Sequence, residues 1–425
     1  MGSPRSAPVR IDLVRVLELL RTHITAALCE TVFQTVRTTE RQRRWTLEAL
    51  VEFWLAVILR APRALSQALY ETLEGSEPLF PLVAAIFTRF TARLLRAVPC
   101  RYAAETAPLQ ARFAGLCVVD GSRLAAIAHR LKLLWPERAV VLPGCLLAVY
   151  DVGRGLCRTL TFCADAAAAE LTRARAIVAT LPRDTLVLAD RLYGTGVWFA
   201  ALAAQGCWGV VRYNRRLGLH KLRRLRRRPY RRGRLEDWLV EAGGSRRAPQ
   251  LLRYIRWRRG ATVHAVLTNV LDPRRLAATE ALALYPRRWS IERLFFDLKE
   301  VLNLNRVYAA GCVYNAMRVA QAEVAEAVGL APEAISPAKF FPKLAAACHC
   351  YALCELWFLE TQGATRRRRL RKPTLARRRF AHVLLESILV EPRKAHRRKR
   401  RFCKARRRWK SLTHVRGSRK LLKLS

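Results

Sequence analysis

Residues 113–124 read FAGLCVVDGSRL. A short apolar run ending on a carboxylate and a glycine predicts a buried strand that stops at Asp120 and turns at Gly121. Reading outward, VVLPGCLLAVYDV (140–152) and LCRTLTFCADA (156–166) predict two further strands. Residues 166–181 predict a helix, and DTLVLAD (184–190) a buried strand ending on Asp190. A helix over 196–206 and a strand over 208–214 complete the series. Strands alternating with helices in this way imply a mixed α/β sheet flanked by helices. If the strands ending on Asp120 and Asp190 are parallel neighbours, their carboxylates lie side by side.

A third acid sits in YPRRWSIERLFFDLK, residues 285–299. Tyr285, Arg288, Glu292 and Lys299 fall at offsets that a helix brings within roughly 60° of one another, so one face carries an acid and its cationic neighbours. Pro286 belongs in the first turn of such a helix, or kinks it, which leaves the placement of Tyr285 least certain of the four. Charges at this spacing also suit a solvated face with weak ion pairs. They equally suit a site that holds a divalent cation and a phosphodiester together, the carboxylate taking the metal and the cations the phosphate oxygens.

The chain of 425 residues is 52% hydrophobic, enough to bury a sizeable core, and carries 78 Lys and Arg against 32 Asp and Glu. The resulting net charge of +46 exceeds what solubility needs and implies a polyanionic partner, with nucleic acid first. No signal peptide and no membrane-spanning run is expected, which predicts a soluble intracellular protein without a membrane partner. The twelve cysteines lack paired short spacings and read as reduced thiols. Cys348, His349, Cys350 and Cys354 cluster in an apolar helical segment without the spacing of a structural zinc site.

Periodicity and charge divide the chain into five parts. Residues 1–110 read as a helical N-terminal unit, and 111–214 as the first part of an α/β core. Residues 215–275 read as a basic β-rich insertion, 276–330 as the second part of the core with the helix of Glu292, and 331–425 as a helical and highly basic C-terminal region.

With these motifs in order, the chain resembles the DDE transposases of bacterial insertion sequences. The subgroup in question is marked by Tyr, two residues, Arg, three residues, Glu, six residues and Lys. Tyr285, Arg288, Glu292 and Lys299 match that pattern without a gap. The first acid of the family is usually followed by Gly and a hydroxyl residue, here Asp120, Gly121 and Ser122. The second is usually followed by Arg and then an aromatic, here Asp190, Arg191, Leu192 and Tyr193. The resemblance spans about Phe113 to Tyr308.

The resemblance implies a ribonuclease-H-like catalytic domain in which Asp120, Asp190 and Glu292 hold two Mg²⁺ ions, or Mn²⁺ in their place. It implies cleavage at transposon ends and strand transfer into target DNA. The implied partners are double-stranded DNA, as terminal inverted repeats and as target, and a second copy of the chain in a synaptic homodimer. It places the protein in the bacterial cytoplasm, associated with the nucleoid. Tyr285, Arg288 and Lys299 would contact phosphates, and Arg191 follows the second acid among the DNA-binding candidates. Related enzymes use an aromatic that stacks on a flipped base during hairpin formation; Trp289 and Trp257 are candidates for that place, with core packing the alternative for each. Three other readings compete: an inactive or domesticated DNA-binding descendant, a ribonuclease-H-like nuclease without strand transfer, and a packing protein of ribosomal or chromatin type. The last explains the charge but has no use for acids at strand ends.

Overall fold

The computed structural model describes residues 15–37, 80–123, 145–163, 169–243, 249–302 and 307–348, together with 46–48, 51 and 55. Helices α1 (Arg15–His23), α2 (Ala26–Val36) and α3 (Phe80–Ala97) lead into strand β1 (Gly115–Arg123). Strands β2 (Cys145–Asp151) and β3 (Leu156–Cys163) follow, then α4 (Glu170–Val178), β4 (Thr185–Ala189), α5 (Gly196–Ala204) and β5 (Trp208–Arg212). Four long strands come next: β6 (Leu219–Tyr230), β7 (Gly233–Ala242), β8 (Gln250–Arg259) and β9 (Thr262–Thr268). Helices α6 (Ala278–Leu284), α7 (Trp289–Phe296) and α8 (Val307–Ala327) close the series, and residues 337–348 are also helical.

All nine strands form one sheet in the order β3-β2-β1-β4-β5-β9-β8-β7-β6. Strand β1 pairs parallel to β4 and antiparallel to β2, and β4 pairs parallel to β5. The mixed α/β sheet with helices on both faces is the ribonuclease-H-like architecture that the order of motifs predicts. The insertion does not form a sheet of its own. Strand β9 pairs antiparallel to β5, so β6–β9 lengthen the central sheet.

Alternation along β1 explains why its sequence is continuously apolar. Leu116 and Val118 enter one core, while Cys117 and Val119 enter the core on the opposite face. A strand covered on both sides has no polar face to show. The larger core packs α1–α3 and α6–α8 against the sheet; the smaller one lies beneath α4 and α5. Helix α8 is buried all round through most of its length, from Val307 to Gln321, and is the central rod of the larger core. Helices α1 and α3 pack against α8, α3 also against β3, and α2 against α3, so all three share that core.

One boundary differs from expectation. Strand β1 runs on through Asp120 and Gly121 to Arg123, because β2 supplies antiparallel partners as far as Arg123↔Cys145. Gly121 is a strand residue, and its lack of a side chain serves a close approach described below. The residues His349, Cys350 and Cys354 and the basic tail lie outside the described residues; Cys348 is buried.

Candidate active site

The parallel pairing of β1 with β4 includes Val118↔Leu188, and two residues further along each chain come Asp120 and Asp190. Val118 and Leu188 belong to the larger core, so by the two-residue period both carboxylates leave the sheet on that same face. Asp190 also caps the short 3₁₀ turn Arg191–Tyr193, accepting the Leu192 N–H at 2.6 Å. The Oδ1 of Asp120 accepts the Gly121 N–H at 3.0 Å.

Helix α7 lies over this face, anchored by the fully buried Ile291 and Leu294. Arg288, immediately before the helix, points back to the strands. Its Nη1 donates to Asp120 Oδ2 at 3.1 Å and its Nη2 to Glu292 Oε1 at 2.9 Å. One guanidinium, only 8% exposed, thus holds two of the three predicted acids. Burial pushes the Asp120 carboxyl up to about 7 against the pull of Arg288, and the charges of Asp190 and Glu170 push it the same way. Asp190 is therefore close enough for its charge to be felt at Asp120.

The segment carrying Glu292 is not one regular helix. Tyr285–Arg288 is 3₁₀, Trp289–Phe296 is α, and Asp297–Val301 is a π turn closed by Leu302 N–H to Asp297 O at 2.9 Å. Pro286, which has no N–H to give, lies in the 3₁₀ part. The wider π turn carries Lys299, whose Nζ donates to Ser122 Oγ at 2.7 Å. The hydroxyl residue after the first acid and the Lys at the end of the signature are therefore in contact. Tyr285 is half-buried; burial raises its phenol to about 12, with Arg288 acting against the rise and Asp190 adding to it.

The remaining candidates are dispersed. Arg191 is exposed beside Asp190. Trp289 is 60% exposed, lies with the Arg288 guanidinium carbon 4.6 Å from its ring centre, and so does not pack in the core. It borders a cavity of about 350 Å³ walled by Tyr102, Tyr150, Arg293 and Arg318, on a flank of α7 away from the acids. Trp257 stays in the insertion, where its Nε1 donates to Tyr230 O at 2.8 Å and its ring stacks on His264. It pins the β6–β7 turn and is not brought to the acids.

Sequence reasoning missed Glu170 and the role of Tyr193. Glu170, the first residue of α4, accepts the Tyr193 hydroxyl at 2.7 Å. A Cβ built on Gly121 would come within 2.5 Å of the Glu170 carboxylate, so glycine at 121 makes room for a fourth acid near Asp120. The signal in the sequence was Gly121 itself, read there as a turn.

The donor chemistry suits a divalent cation: hard oxygens from two adjacent strands and a helix, and a largely buried Asp120 whose ionisation is disfavoured by burial first and by Asp190 and Glu170 as well. Among the described residues, however, no group of three or more His, Cys, Asp or Glu side chains is already gathered around one point as a metal cage. The guanidinium of Arg288 separates Glu292 from Asp120.

Sheet order, parallel aspartates and overlying helix define a ribonuclease-H-like domain with an acidic site at its strand ends. Residues 145–311 match the family model described as transposase DDE domain, which supports a transposase of the DDE type. The match covers Asp190 and the whole segment from Tyr285 to Lys299, and begins on β2, after Asp120. No curated protein matches the chain. Among the described residues no helix is long and apolar enough to cross a membrane.

Proposed function

We propose that this chain is a DNA transposase that cleaves at the ends of its mobile element and transfers the freed strand into target DNA, with Asp120, Asp190 and Glu292 as its catalytic acids. The observation that carries the reading is the joining of Asp120 to Glu292 through Arg288, beside an Asp190 delivered in register by the neighbouring parallel strand. The family match and the excess of 78 basic over 32 acidic residues support DNA as the substrate.

DDE transposase domains generally work with divalent metal. Asp120, Asp190 and Glu292 would hold two Mg²⁺ or Mn²⁺ ions, which when bound supply Lewis-acid charge for in-line displacement at phosphorus. The chain's own contribution is positioning. Strands β1 and β4 fix the two aspartates at one height, α7 brings Glu292 over them, and Lys299 and Tyr285 flank the acids where non-bridging phosphate oxygens need cationic and hydroxyl donors. Cleavage and joining are then the same substitution: a water or a 3′-hydroxyl oxygen forms a bond to phosphorus as the bond to the leaving 3′-oxygen breaks. Residues 1–110 would recognise the terminal inverted repeats, 111–214 with 276–330 would form the catalytic core, 215–275 would add basic surface, and 331–425 would add phosphate contacts. A synaptic homodimer associated with the nucleoid is part of this reading.

The test is a Mg²⁺-dependent cleavage and strand-transfer assay on the DNA ends flanking the reading frame. Asp120→Asn, Asp190→Asn and Glu292→Gln are each expected to abolish both products while leaving duplex binding intact. Undiminished product from any one of the three removes that acid from the mechanism.

A further inference from the structure

Strand β6 reads LHKLRRLRRRPY and, among the described residues, forms the outer edge of the nine-stranded sheet. Its pairing with β7 shifts twice, between Lys221 and Arg223 and between Arg224 and Arg226. Each shift leaves one residue without a direct partner, and in both cases it is a leucine, Leu222 and then Leu225. The bulges thereby match the three-residue period of the sequence: each leucine is set aside, and every paired position between Lys221 and Arg228 is a cation.

The register assigns these cations to faces. Arg223 and Arg226 oppose Leu239 and Asp237, on the side of Leu235 and the larger core, the same face of the sheet as the acids. Lys221, Arg224 and Arg227 oppose Val240, Trp238 and Glu236, on the side of the smaller core. Contacts agree with that division: Lys221 Nζ and the Arg224 guanidinium carbon lie 4.7 and 5.6 Å from the Trp238 ring centre. All five cations are exposed. Two of the β7 acids that might neutralise them are already engaged, Glu236 with Arg256 and Asp237 with Arg253.

Within each row, one cation follows the next by two residues of β7, about 6.8 Å at a strand rise of about 3.4 Å per residue. That is twice the axial phosphate spacing of about 3.4 Å along one DNA strand. Guarding an edge against strand addition needs only a bulge, a proline or a single charge, and Pro229 and the bulges already supply that. Two unbroken cationic rows flanking a thin edge match a groove bounded by two rows of phosphates, and the major groove, about 12 Å wide, admits a β-ribbon.

We propose that the β6 edge is a docking rail for duplex DNA, entering a groove edge-on with Arg223 and Arg226 against one phosphate strand and Lys221, Arg224 and Arg227 against the other. The proposal deepens the reading of DNA as substrate by naming a surface away from the chemistry. Six strand spacings of about 4.8 Å separate β6 from β1, so the rail grips DNA about 29 Å from Asp120.

The experiment uses the full chain and a fluorescent duplex, with binding read by anisotropy over a range of NaCl and without divalent metal. One variant carries Arg223→Gln and Arg226→Gln, a second Lys221→Gln, Arg224→Gln and Arg227→Gln, and a third all five. Each lost phosphate contact should lower the slope of log affinity against log salt by about 0.9. Slope losses of about 1.8, 2.7 and 4.5 are therefore expected, additive across the rows, at unchanged one-to-one stoichiometry. Far-ultraviolet circular dichroism and melting temperature confirm folding; a variant that fails to fold is replaced by single substitutions from the same row, Arg223→Gln or Arg224→Gln, each of which should lower the slope by about 0.9. An unchanged slope in the five-residue variant overturns the proposal, as does loss from one row only. Self-association of the variants with undiminished DNA affinity shows edge protection instead and also overturns it. Because no cleavage is read, failure here leaves the catalytic reading standing, and failure of the catalytic acids leaves the rail standing.

Discussion

The guanidinium of Arg288 spans Asp120 and Glu292, 3.1 Å from one carboxylate and 2.9 Å from the other, and joins strand β1 to helix α7 across 168 residues of sequence. Asp120 is largely buried, so the contact is worth more than an exposed ion pair, although Glu292 is partly solvated and adds less. Replacing Arg288 by Ala is expected to cost on the order of 1–3 kcal/mol in denaturant unfolding, mostly from leaving Asp120 without its counter-charge. The same change removes a cation that competes for both oxygens. Arg288→Gln should therefore bind Mn²⁺ several-fold more tightly than wild type, as read by electron paramagnetic resonance of free Mn²⁺.

Protons compete with metal at the same site. The Asp120 carboxyl is raised to about 7, chiefly by burial, so below that pH a bound metal must displace a proton. Mn²⁺ affinity in wild type should rise about tenfold per pH unit up to pH about 7 and level off above it. In Asp120→Asn that dependence should largely vanish, along with much of the affinity.

Gly121 and Glu170 form a second coupled pair. Gly121→Ala pushes its methyl into the Glu170 carboxylate and should break the hydrogen bond from Tyr193, costing on the order of 1–2 kcal/mol. Glu170→Ala made first should remove most of that cost. A double-mutant cycle measures it, and strict additivity would contradict the contact.

Asp297 is 2% exposed, its Oδ2 has no hydrogen-bond partner among the described residues, and burial raises its carboxyl to about 6 despite the nearby Arg318 and Arg293. A raised acid favours the folded state while protonated, so its cost is absent below the unfolded value near 3.8, grows between there and about 6, and is constant above. Asp297→Asn should be more stable than wild type by roughly 1–3 kcal/mol at pH 8, a difference that fades towards pH 4 in parallel denaturant titrations.

The insertion is tied to the core by a fully buried ion pair. Arg253, 0% exposed, meets Asp237 Oδ2 at 2.5 Å and donates to the carbonyls of Val270 and Leu276, on the segment leading into α6. Asp237→Ala leaves that guanidinium buried without its counter-charge, and a loss of about 3–5 kcal/mol in global stability is expected.

Much of the mixed α/β sheet is legible in the sequence because its signals are local. Continuous apolar runs mark buried strands, and Asp120 and Asp190 each stand at the end of one; that the two strands pair in parallel came from the fold. The spacing of Tyr285, Arg288, Glu292 and Lys299 likewise survives in the structure as a set of residues around one site, although the backbone passes from 3₁₀ to α to π along the way. What was not legible depends on pairings between distant segments. Glu170 carries no motif; it reaches the site because α4 begins where β1 has a glycine. Trp257 and Trp289 read alike in one dimension, yet one stacks inside the insertion and the other stands 60% exposed beside Arg288.

By itself, the order of residues determined which acids and cations are available, the alternation of strands and helices, and a large positive net charge, because composition and periodicity follow from each residue and its near neighbours. Only the tertiary structure decided that Arg288 faces the carboxylates, that Lys299 meets Ser122, and that β6–β9 widen the central sheet with two cationic rows at its edge. Those outcomes depend on strand register and helix docking, where interactions between residues far apart in the chain outweigh any local preference.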